Sequence, residues 1–269
     1  MLKTLEIIAN CLLGFDAFCF NKKFLVFNLV DRNLKVKYRR SFLGFFWTIL
    51  SPLAMSAIYY FVFKSILHIE RPHYLPFILS GVLPWSFFAQ SLSESTESIV
   101  ANQALISKIP IPIHIFPYVV TLTNFSTLLF ALPVIFVLAI LSGVSVGLNM
   151  LWVLYFFAAL LILGYSIGAV LSIFFVYLRD LRHAVTLLLQ IWFYATPIIY
   201  DSSMIPQKYF WLLYLNPVGS IFEGIHESMM GTSGTLYMHV LASFLWCAFF
   251  LLILRITFSR LRTGLVERL

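Results

Sequence analysis

The 269-residue chain is 61% apolar and only 11% charged, and its mean hydropathy is +0.94. Soluble domains carry roughly 25% charged residues, so this chain has too few polar side chains to cover a water-facing surface. These values exclude a soluble enzyme, a disordered chain and a disulfide scaffold, and they predict an all-α, multi-pass membrane protein. In such a protein the net charge of +7 reports on orientation, and no nucleic-acid partner is expected.

The first predicted element is an amphipathic interface helix over residues 27–41. One face of its helical wheel is apolar, with Phe27, Val30, Leu34 and Tyr38. The other side carries Arg32, Lys35, Arg39 and Arg40, with Leu29 and Val36 as apolar exceptions. A basic amphipathic helix lies along the inner leaflet, where each Lys or Arg gains about 1 kcal/mol near anionic lipid. An ordinary positively charged flank of the first span is the alternative interpretation.

Six transmembrane helices are predicted from stretches of about 20 apolar residues. They cover residues 42–67, 72–93, 113–141, 150–177, 183–200 and 235–254. The charge-free stretch Ile109–Leu178 is too long for one helix, and it divides at the Gly- and Ser-rich residues 142–149. Between spans five and six, residues 209–230 contain a short apolar run broken at Asn216-Pro217, which predicts a re-entrant outer segment.

The distribution of basic residues predicts the orientation of these spans. Six spans place both termini on one side of the membrane. If that side is the cytoplasm, 15 of the 18 Lys and Arg residues lie in cytoplasmic segments. This bias follows the positive-inside rule, so both termini are predicted to be cytoplasmic.

The chain lacks two motifs that would let it carry chemistry alone. It contains no G-x-x-x-x-G-K-[ST] nucleotide loop and no H-E-x-x-H metal motif. The predicted spans hold no mid-span Asp or Glu, which ion-coupled carriers use as relay groups. We therefore expect no directly bound cofactor or metal, and an energy source in another subunit. Gly164 and Gly168 form a G-x-x-x-G motif, which predicts close helix packing.

The junction from Leu34 to Leu53 reads L-K-V-K-Y-R-R-S-F-L-G-F-F-W-T-I-L-S-P-L. It resembles the start of the membrane permeases of bacterial ABC exporters (the ABC type 2 family) for O-antigen polysaccharide and teichoic acid. In that family a basic interface helix runs into a Leu-Gly turn, followed by a Trp and a Pro in the first span. Segments 102–108, 177–181, 196–200 and 215–218 resemble later parts of the same family, in the same order.

The resemblance implies three groups of functional residues. The substrate portal would comprise Tyr38, Arg39, Arg40, Leu43, Gly44 and Trp47. A coupling helix over residues 98–109, contacting the ATPase, would use Asn102, Gln103, Leu105, Ile106 and Lys108. The outer gate would lie in residues 209–230 and at the end of span five, with Tyr200, Asn216, Pro217 and Glu223. Arg39 and Arg40 suit a lipid-linked pyrophosphate, and contact with anionic lipid is the alternative for both.

The function implied by the resemblance is that of a channel subunit in an ATP-driven exporter of lipid-linked polysaccharide, O-antigen first. The chain would form a homodimer in the bacterial inner membrane and bind two copies of an ABC ATPase, which would hold ATP and Mg²⁺. Teichoic acid or capsular polysaccharide is the alternative cargo. A membrane-embedded glycosyl or acyl transferase is the alternative of another class, with Glu223, His226 and Glu227 as its only candidate cluster.

Overall fold

The computed structural model describes residues 23–39, 44, 46–68, 71–108, 111–144, 147–231 and 234–268. Regular structure in these ranges is helical. The α-helices in chain order are α1 (Lys23–Tyr38), α2 (Phe46–Tyr60), α3 (Tyr74–Ala101), α4 (Gln103–Ile106), α5 (Ile115–Leu141), α6 (Trp152–Tyr177), α7 (Leu181–Tyr194), α8 (Trp211–Leu215), α9 (Gly219–Met230) and α10 (Leu236–Arg268). A π-helical stretch, Phe61–Ile66, continues α2. A 3₁₀ turn, Leu148–Leu151, leads into α6.

Five helices of the described chain are long and apolar enough to cross a membrane. They are Phe46–Ile66, Tyr74–Ala101, Ile115–Leu141, Leu148–Tyr177 and Leu236–Leu261. The fifth predicted span, residues 183–200, corresponds to α7, which has only 14 residues and is not among these five helices. A 14-residue helix rises about 21 Å, short of the roughly 30 Å hydrocarbon layer. It ends three residues before Pro197, which has no backbone N–H to donate and disfavours helix in the residue before it.

Helix α3 is longer than the span predicted over residues 72–93. It continues without interruption through Glu94 and Glu97 to Ala101. Ser98, the first residue of the coupling helix predicted over residues 98–109, lies inside α3, where its hydroxyl donates to the carbonyl of Ser95 (2.6 Å). The chain turns at Asn102, and only the single helical turn α4 follows.

The core of the protein is built around α3 and α6. In the apolar 18-residue stretch of α3, 78% of the residues are buried, compared with 11% in the corresponding stretch of α2 and its π-helical continuation. The large side chains Phe77, Phe88, Phe156, Leu160 and Phe222 are completely enclosed there. A Cβ on Gly168 would stand 2.7 Å from the Cβ of Ser95 on α3, which confirms the close packing predicted for the G-x-x-x-G motif at this glycine. Gly164 makes only ordinary contacts, 3.7 Å or more.

Helix α1 packs against the protein through more than the predicted apolar face, of which Val30 and Tyr38 make contacts. Leu29, an exception on the helical wheel, is its buried residue. It contacts Ile115, Phe116 and Val119 at the start of α5. Phe27, on the predicted apolar face, is 70% exposed. Val30 and Leu34 of the predicted face are half-buried, so the helical wheel identified part of the covered surface and missed Leu29.

Candidate functional site

A cavity of about 610 Å³ lies between α1, α2, α3, α5 and the end of α7. It follows α2 from Trp47 to Tyr59, a distance of about 18 Å at 1.5 Å per residue. Aromatic side chains line much of it, including Trp85 and Phe193 from α3 and α7. Such rings offer flat apolar faces with a polar edge at Trp and Tyr. The cavity therefore suits a ligand that is partly apolar and partly hydroxylated.

The end of the cavity beside α1, which is the inner end in the predicted orientation, contains two of the predicted portal residues, Tyr38 and Trp47. The Tyr38 hydroxyl is 2.7 Å from Thr48 Oγ1 on α2, so α1 is held against the first span across the intervening turn. Burial raises the pKa of the Tyr38 phenol, and its hydrogen bond to Thr48 opposes that shift. Gly44, in the turn, has a φ of +47°, a conformation that favours glycine. Arg39 is exposed, and the predicted residues Arg40 and Leu43 lie outside the described residues.

Three polar side chains meet beside this end of the cavity. None of them was among the predicted site residues. Lys37 on α1 donates to Glu94 Oε1 on α3 and to Asn124 Oδ1 on α5, both at 2.9 Å. Asn124 donates in turn to Glu94 Oε2 at 3.0 Å. The available signal in the sequence was that Asn124 is the single Asn of the predicted span 113–141. Its partners are 30 and 87 residues away, so local spacing does not reveal them.

The predicted coupling residues occupy a short surface segment between α3 and α5. Asn102 donates to the carbonyl of Ser98 (2.8 Å), closing the end of α3. Leu105 and Ile106 pack against α1 and the start of α5, whereas Gln103 and Lys108 are exposed. The segment thus has one face fixed to the protein and one face open to a partner.

The predicted outer-gate residue Asn216 connects the end of α7 to the start of α9. Its Nδ2 donates to Thr196 Oγ1 (2.9 Å) and to the carbonyl of Ala195 (3.3 Å). Its Oδ1 accepts from Trp192 Nε1 (2.8 Å) and from the backbone N–H of Val218 (3.2 Å). Pro217 follows it directly and, with Tyr200, lines a second cavity of about 480 Å³. The amide of Asn216 therefore satisfies polar groups where the helical pattern is interrupted.

Charged side chains join three segments at the other end of the bundle. Arg71, before α3, forms an ion pair with Asp201 and lies over the Phe77 ring, with its Cζ 3.7 Å from the ring centre. Ser202 donates to Glu223 Oε1 on α9 at 2.5 Å. Burial raises the pKa of Glu223, and the hydrogen bond from Ser202 opposes this shift. The glutamate predicted for the outer gate is thus an enclosed carboxyl group that keeps a proton more readily than usual.

We predict that Glu223→Gln stabilises the protein at neutral pH. A carboxyl group whose pKa is raised on folding contributes stability that is present at low pH and is lost as the pH rises through the folded-state pKa. The thermal midpoint of the detergent-solubilised wild type should therefore fall between pH 5 and pH 7.5 more steeply than that of the variant. Glu97→Gln, near the C-terminal end of α3, is the control and should keep the wild-type slope. Equal slopes for wild type and Glu223→Gln would contradict the prediction.

The cluster considered for a transferase, Glu223, His226 and Glu227, does not converge on one point. Glu223 is bound by Ser202, and Glu227 accepts from Thr235 at 2.6 Å. His226 is buried against Phe77, with 4.0 Å between the ring centroids. Within the described ranges, no group of three or more His, Cys, Asp or Glu residues is placed to hold a metal ion.

Residues 143–147 read G-V-S-V-G, which has the G-x-S-x-G spacing of a hydrolase nucleophile elbow. That elbow requires a strand-to-helix turn. Here the motif connects α5 to the helical turn before α6, and Ser145 itself lies outside the described residues. The motif therefore lacks the structural context that gives it catalytic meaning.

Residues 25–230 match the family model described as "ABC-2 type transporter". The chain belongs to the ABC-2 transporter family. The resemblance that the Leu34–Leu53 junction predicted is thereby confirmed. The matched range begins within α1 and ends with α9, so it contains the cavity, the coupling segment and the outer segment.

Several ABC-2 relatives are similar over most of the chain. An "O-antigen export system permease protein RfbA" of Klebsiella pneumoniae is 32% identical over 215 residues, covering 79% of this chain and 83% of the relative. A protein of the same name from Myxococcus xanthus is 34% identical over 203 residues, covering 73% and 76%. A "Polysialic acid transport protein KpsM" of Escherichia coli is 25% identical over 215 residues, covering 78% and 82%. With the spanning helices, these likenesses indicate a multi-pass inner-membrane transporter subunit.

Proposed function

We propose that the chain is the channel-forming subunit of an ATP-driven exporter that moves a lipid-linked polysaccharide outward across the bacterial inner membrane. The observation that carries this proposal is the likeness, over about three-quarters of the chain, to relatives named as O-antigen export permeases. O-antigen is the preferred cargo because these relatives are 32–34% identical, whereas the polysialic acid transport protein is 25% identical. The aromatic-lined cavity supports it, since ring faces stack on the apolar C–H faces of sugars.

The proposed topology has six crossings with both termini in the cytoplasm. The fifth crossing in chain order is made by α7 together with residues 195–200, which continue from its end towards the outer side. The basic residues support this orientation, because 15 of 18 then lie on the cytoplasmic side. Residues 209–230, including α8 and α9, form the re-entrant outer segment. Its irregular backbone is shielded by protein at Asn216, as backbone at membrane depth must be.

Two copies of the chain form the channel in this proposal. Helix α7 presents a row of exposed apolar side chains, and they are Leu187, Leu188, Ile191 and Tyr194. Helix α2 is only about a tenth buried and stands on the same side of the cavity. Pairing these two helices with those of a second copy encloses the aromatic-lined cavity from its open side.

Energy comes from a separate ABC ATPase that holds ATP and Mg²⁺, with one ATPase subunit for each copy of the chain. The coupling segment from Asn102 to Lys108 is its docking surface. The anchored residues Leu105 and Ile106 touch α1, so movement of the segment is transmitted to the portal helix. Arg39 is exposed at the end of α1 and meets the lipid-linked pyrophosphate at the inner leaflet.

The test is complementation of a strain in which the gene is deleted. We expect the deletion to abolish the surface polysaccharide, wild type to restore it, and an ABC ATPase encoded nearby to co-purify with the wild-type chain. Lys108→Glu reverses an exposed charge on the coupling segment. It should reduce ATPase co-purification about tenfold and reduce export, because one opposed charge at an interface costs on the order of 1–2 kcal/mol.

Lys208→Glu is the matched control, since Lys208 is also exposed but lies between α7 and α8, on the outer side in the proposed topology. It should leave ATPase co-purification unchanged. Normal surface polysaccharide in the deletion strain would refute the exporter. Equal ATPase recovery with Lys108→Glu and Lys208→Glu would refute the coupling segment as the docking surface and would leave the exporter proposal standing.

A further inference from the structure

The hydrogen-bonded ring of Lys37, Glu94 and Asn124 stands beside the inner end of the cavity. Asn124 is completely buried, whereas the side chains of Lys37 and Glu94 are 24% and 40% exposed. The amide of Asn124 bridges the other two, accepting from the ammonium and donating to the carboxylate. The ring therefore has one fixed member and two members that reach the surface.

The ring is set back from the ends of its helices. Glu94 precedes the end of α3 at Ala101 by seven residues, and Asn124 follows the start of α5 by nine. At 1.5 Å per residue these positions are about 10 Å and 14 Å from the helix ends. At such a depth a single charge is costly to leave unpaired. Lys37 consequently needs an anion beside it, and Glu94 supplies one at rest.

Lys37 also lines the cavity, together with Tyr38 and, one turn before Glu94, Gln90. A second anion that enters the cavity from the inner end thus meets the same ammonium group that Glu94 occupies. Glu94 is the more exposed partner, so it can turn outward while Asn124 keeps its bond to Lys37. The walls beyond this point carry Trp47, Trp85 and Phe87, which suit an apolar or sugar-bearing group attached to the anion.

We propose that Lys37 binds the phosphate-bearing head group of the transported amphiphile, and that Glu94 is a resident carboxylate which this phosphate displaces. The inference rests on the proposed function, because it names Lys37 as the residue that recognises the cargo. Glu94 is then the residue that keeps Lys37 paired when no cargo is bound. Asn124 acts as a positioning residue for both. The exchange replaces one charge-assisted hydrogen bond to Lys37 by another. A neutral ligand forms no such bond, so it does not displace Glu94.

The proposal predicts opposite effects for the two members of the ion pair. Lys37→Gln removes the cation and should weaken phosphate binding about tenfold. Glu94→Gln keeps a hydrogen-bonding side chain of the same length but removes the competing charge, so it should tighten phosphate binding several-fold. A purely structural ion pair would give losses in both variants, because each one breaks the same contact.

The experiment titrates the purified full-length chain in detergent with farnesyl diphosphate and follows tryptophan fluorescence, since Trp47 and Trp85 line the cavity. Farnesol tests the need for the phosphate, and inorganic pyrophosphate tests the need for the lipid. Lys35→Gln and Glu97→Gln are matched controls on the same helices. Lys35 is paired with Asp31 at the surface of α1, and Glu97 with Arg182. Both controls should bind farnesyl diphosphate as the wild type does.

Support for the proposal is saturable binding of farnesyl diphosphate, weaker binding of the other two probes, and the opposite shifts in Lys37→Gln and Glu94→Gln. Binding of inorganic pyrophosphate as tight as that of farnesyl diphosphate would make this a site for free phosphate and would overturn the lipid-linked cargo. Unchanged binding in Lys37→Gln, or losses in both variants, would overturn the proposal. If Lys37→Gln does not fold, the sign of the Glu94→Gln shift decides. These measurements use no cells, so a failed complementation refutes the exporter separately.

Discussion

Replacing Gly224 by alanine is expected to lower the free energy of unfolding by at least about 3 kcal/mol, at the upper end of what overpacking a core costs. A Cβ at this position would stand 2.1 to 2.5 Å from carbon atoms of the Phe156 ring. Phe156 is completely enclosed on α6, so the ring has no free space to move into. Helix α9 would have to lift from α6. In a thermal-shift measurement in detergent, the midpoint should fall by about 6 °C or more.

Two further variants make the Gly224 prediction specific. Gly147→Ala is the control, because a Cβ there has nothing within 4 Å, and its midpoint should stay at the wild-type value. Combining Gly224→Ala with Phe156→Leu reduces the ring that causes the clash, and the pair should melt above Gly224→Ala alone because neighbouring changes couple. A midpoint for Gly224→Ala within a degree of wild type would show that α9 does not pack here.

Asn216→Ala is expected to destabilise the outer segment by about 2–4 kcal/mol and to abolish export. Its amide makes bonds to Trp192, Thr196 and Val218. Removing a partner from a buried polar group costs about 1–3 kcal/mol for each group left unsatisfied. Without the amide, the irregular chain after α7 loses its connection to the start of α9. The measurements are the thermal midpoint in detergent and the surface polysaccharide of the complemented deletion strain.

Gln207→Ala is the control for Asn216→Ala, because Gln207 is an exposed residue just before the outer segment. It should leave both the midpoint and export unchanged. Asn216→Asp keeps the acceptor for Trp192 but loses the donor to Thr196, so it should give an intermediate midpoint. Wild-type stability in Asn216→Ala would mean that the segment is held by its apolar contacts alone.

The membrane-spanning character of the chain was predictable because it depends on local composition. Long charge-free stretches identified the cores of α5 and α6, and the Gly-Ser break between them was visible in the sequence. The shortness of α7 was missed although its cause, Pro197, could be read directly. Its apolar residues continue beyond Tyr194 and resemble a span, and hydropathy does not distinguish helical from non-helical apolar chain.

The contacts of the candidate site were less predictable than its location. The resemblance singled out Asn216 and Tyr38, but it did not show that Asn216 bridges α7 and α9 or that Tyr38 meets Thr48. The ring of Lys37, Glu94 and Asn124 was not predicted, because its members lie on three helices and 30 to 87 residues apart. Such contacts depend on how helices pack against one another, and the spacing of residues along one helix does not determine that packing.

The short helix α7 has a consequence for the lipid around the protein. In the proposed topology α7 brings about 21 Å of helix to a hydrocarbon layer of roughly 30 Å, so the helical part of this crossing is shorter than the bilayer. Such a mismatch is relieved when the bilayer thins locally or when the helix associates with another one. Local thinning shortens the apolar distance beside α7. The polar part of a lipid-linked polymer would then meet its thinnest barrier next to this helix, at the open side of the aromatic-lined cavity.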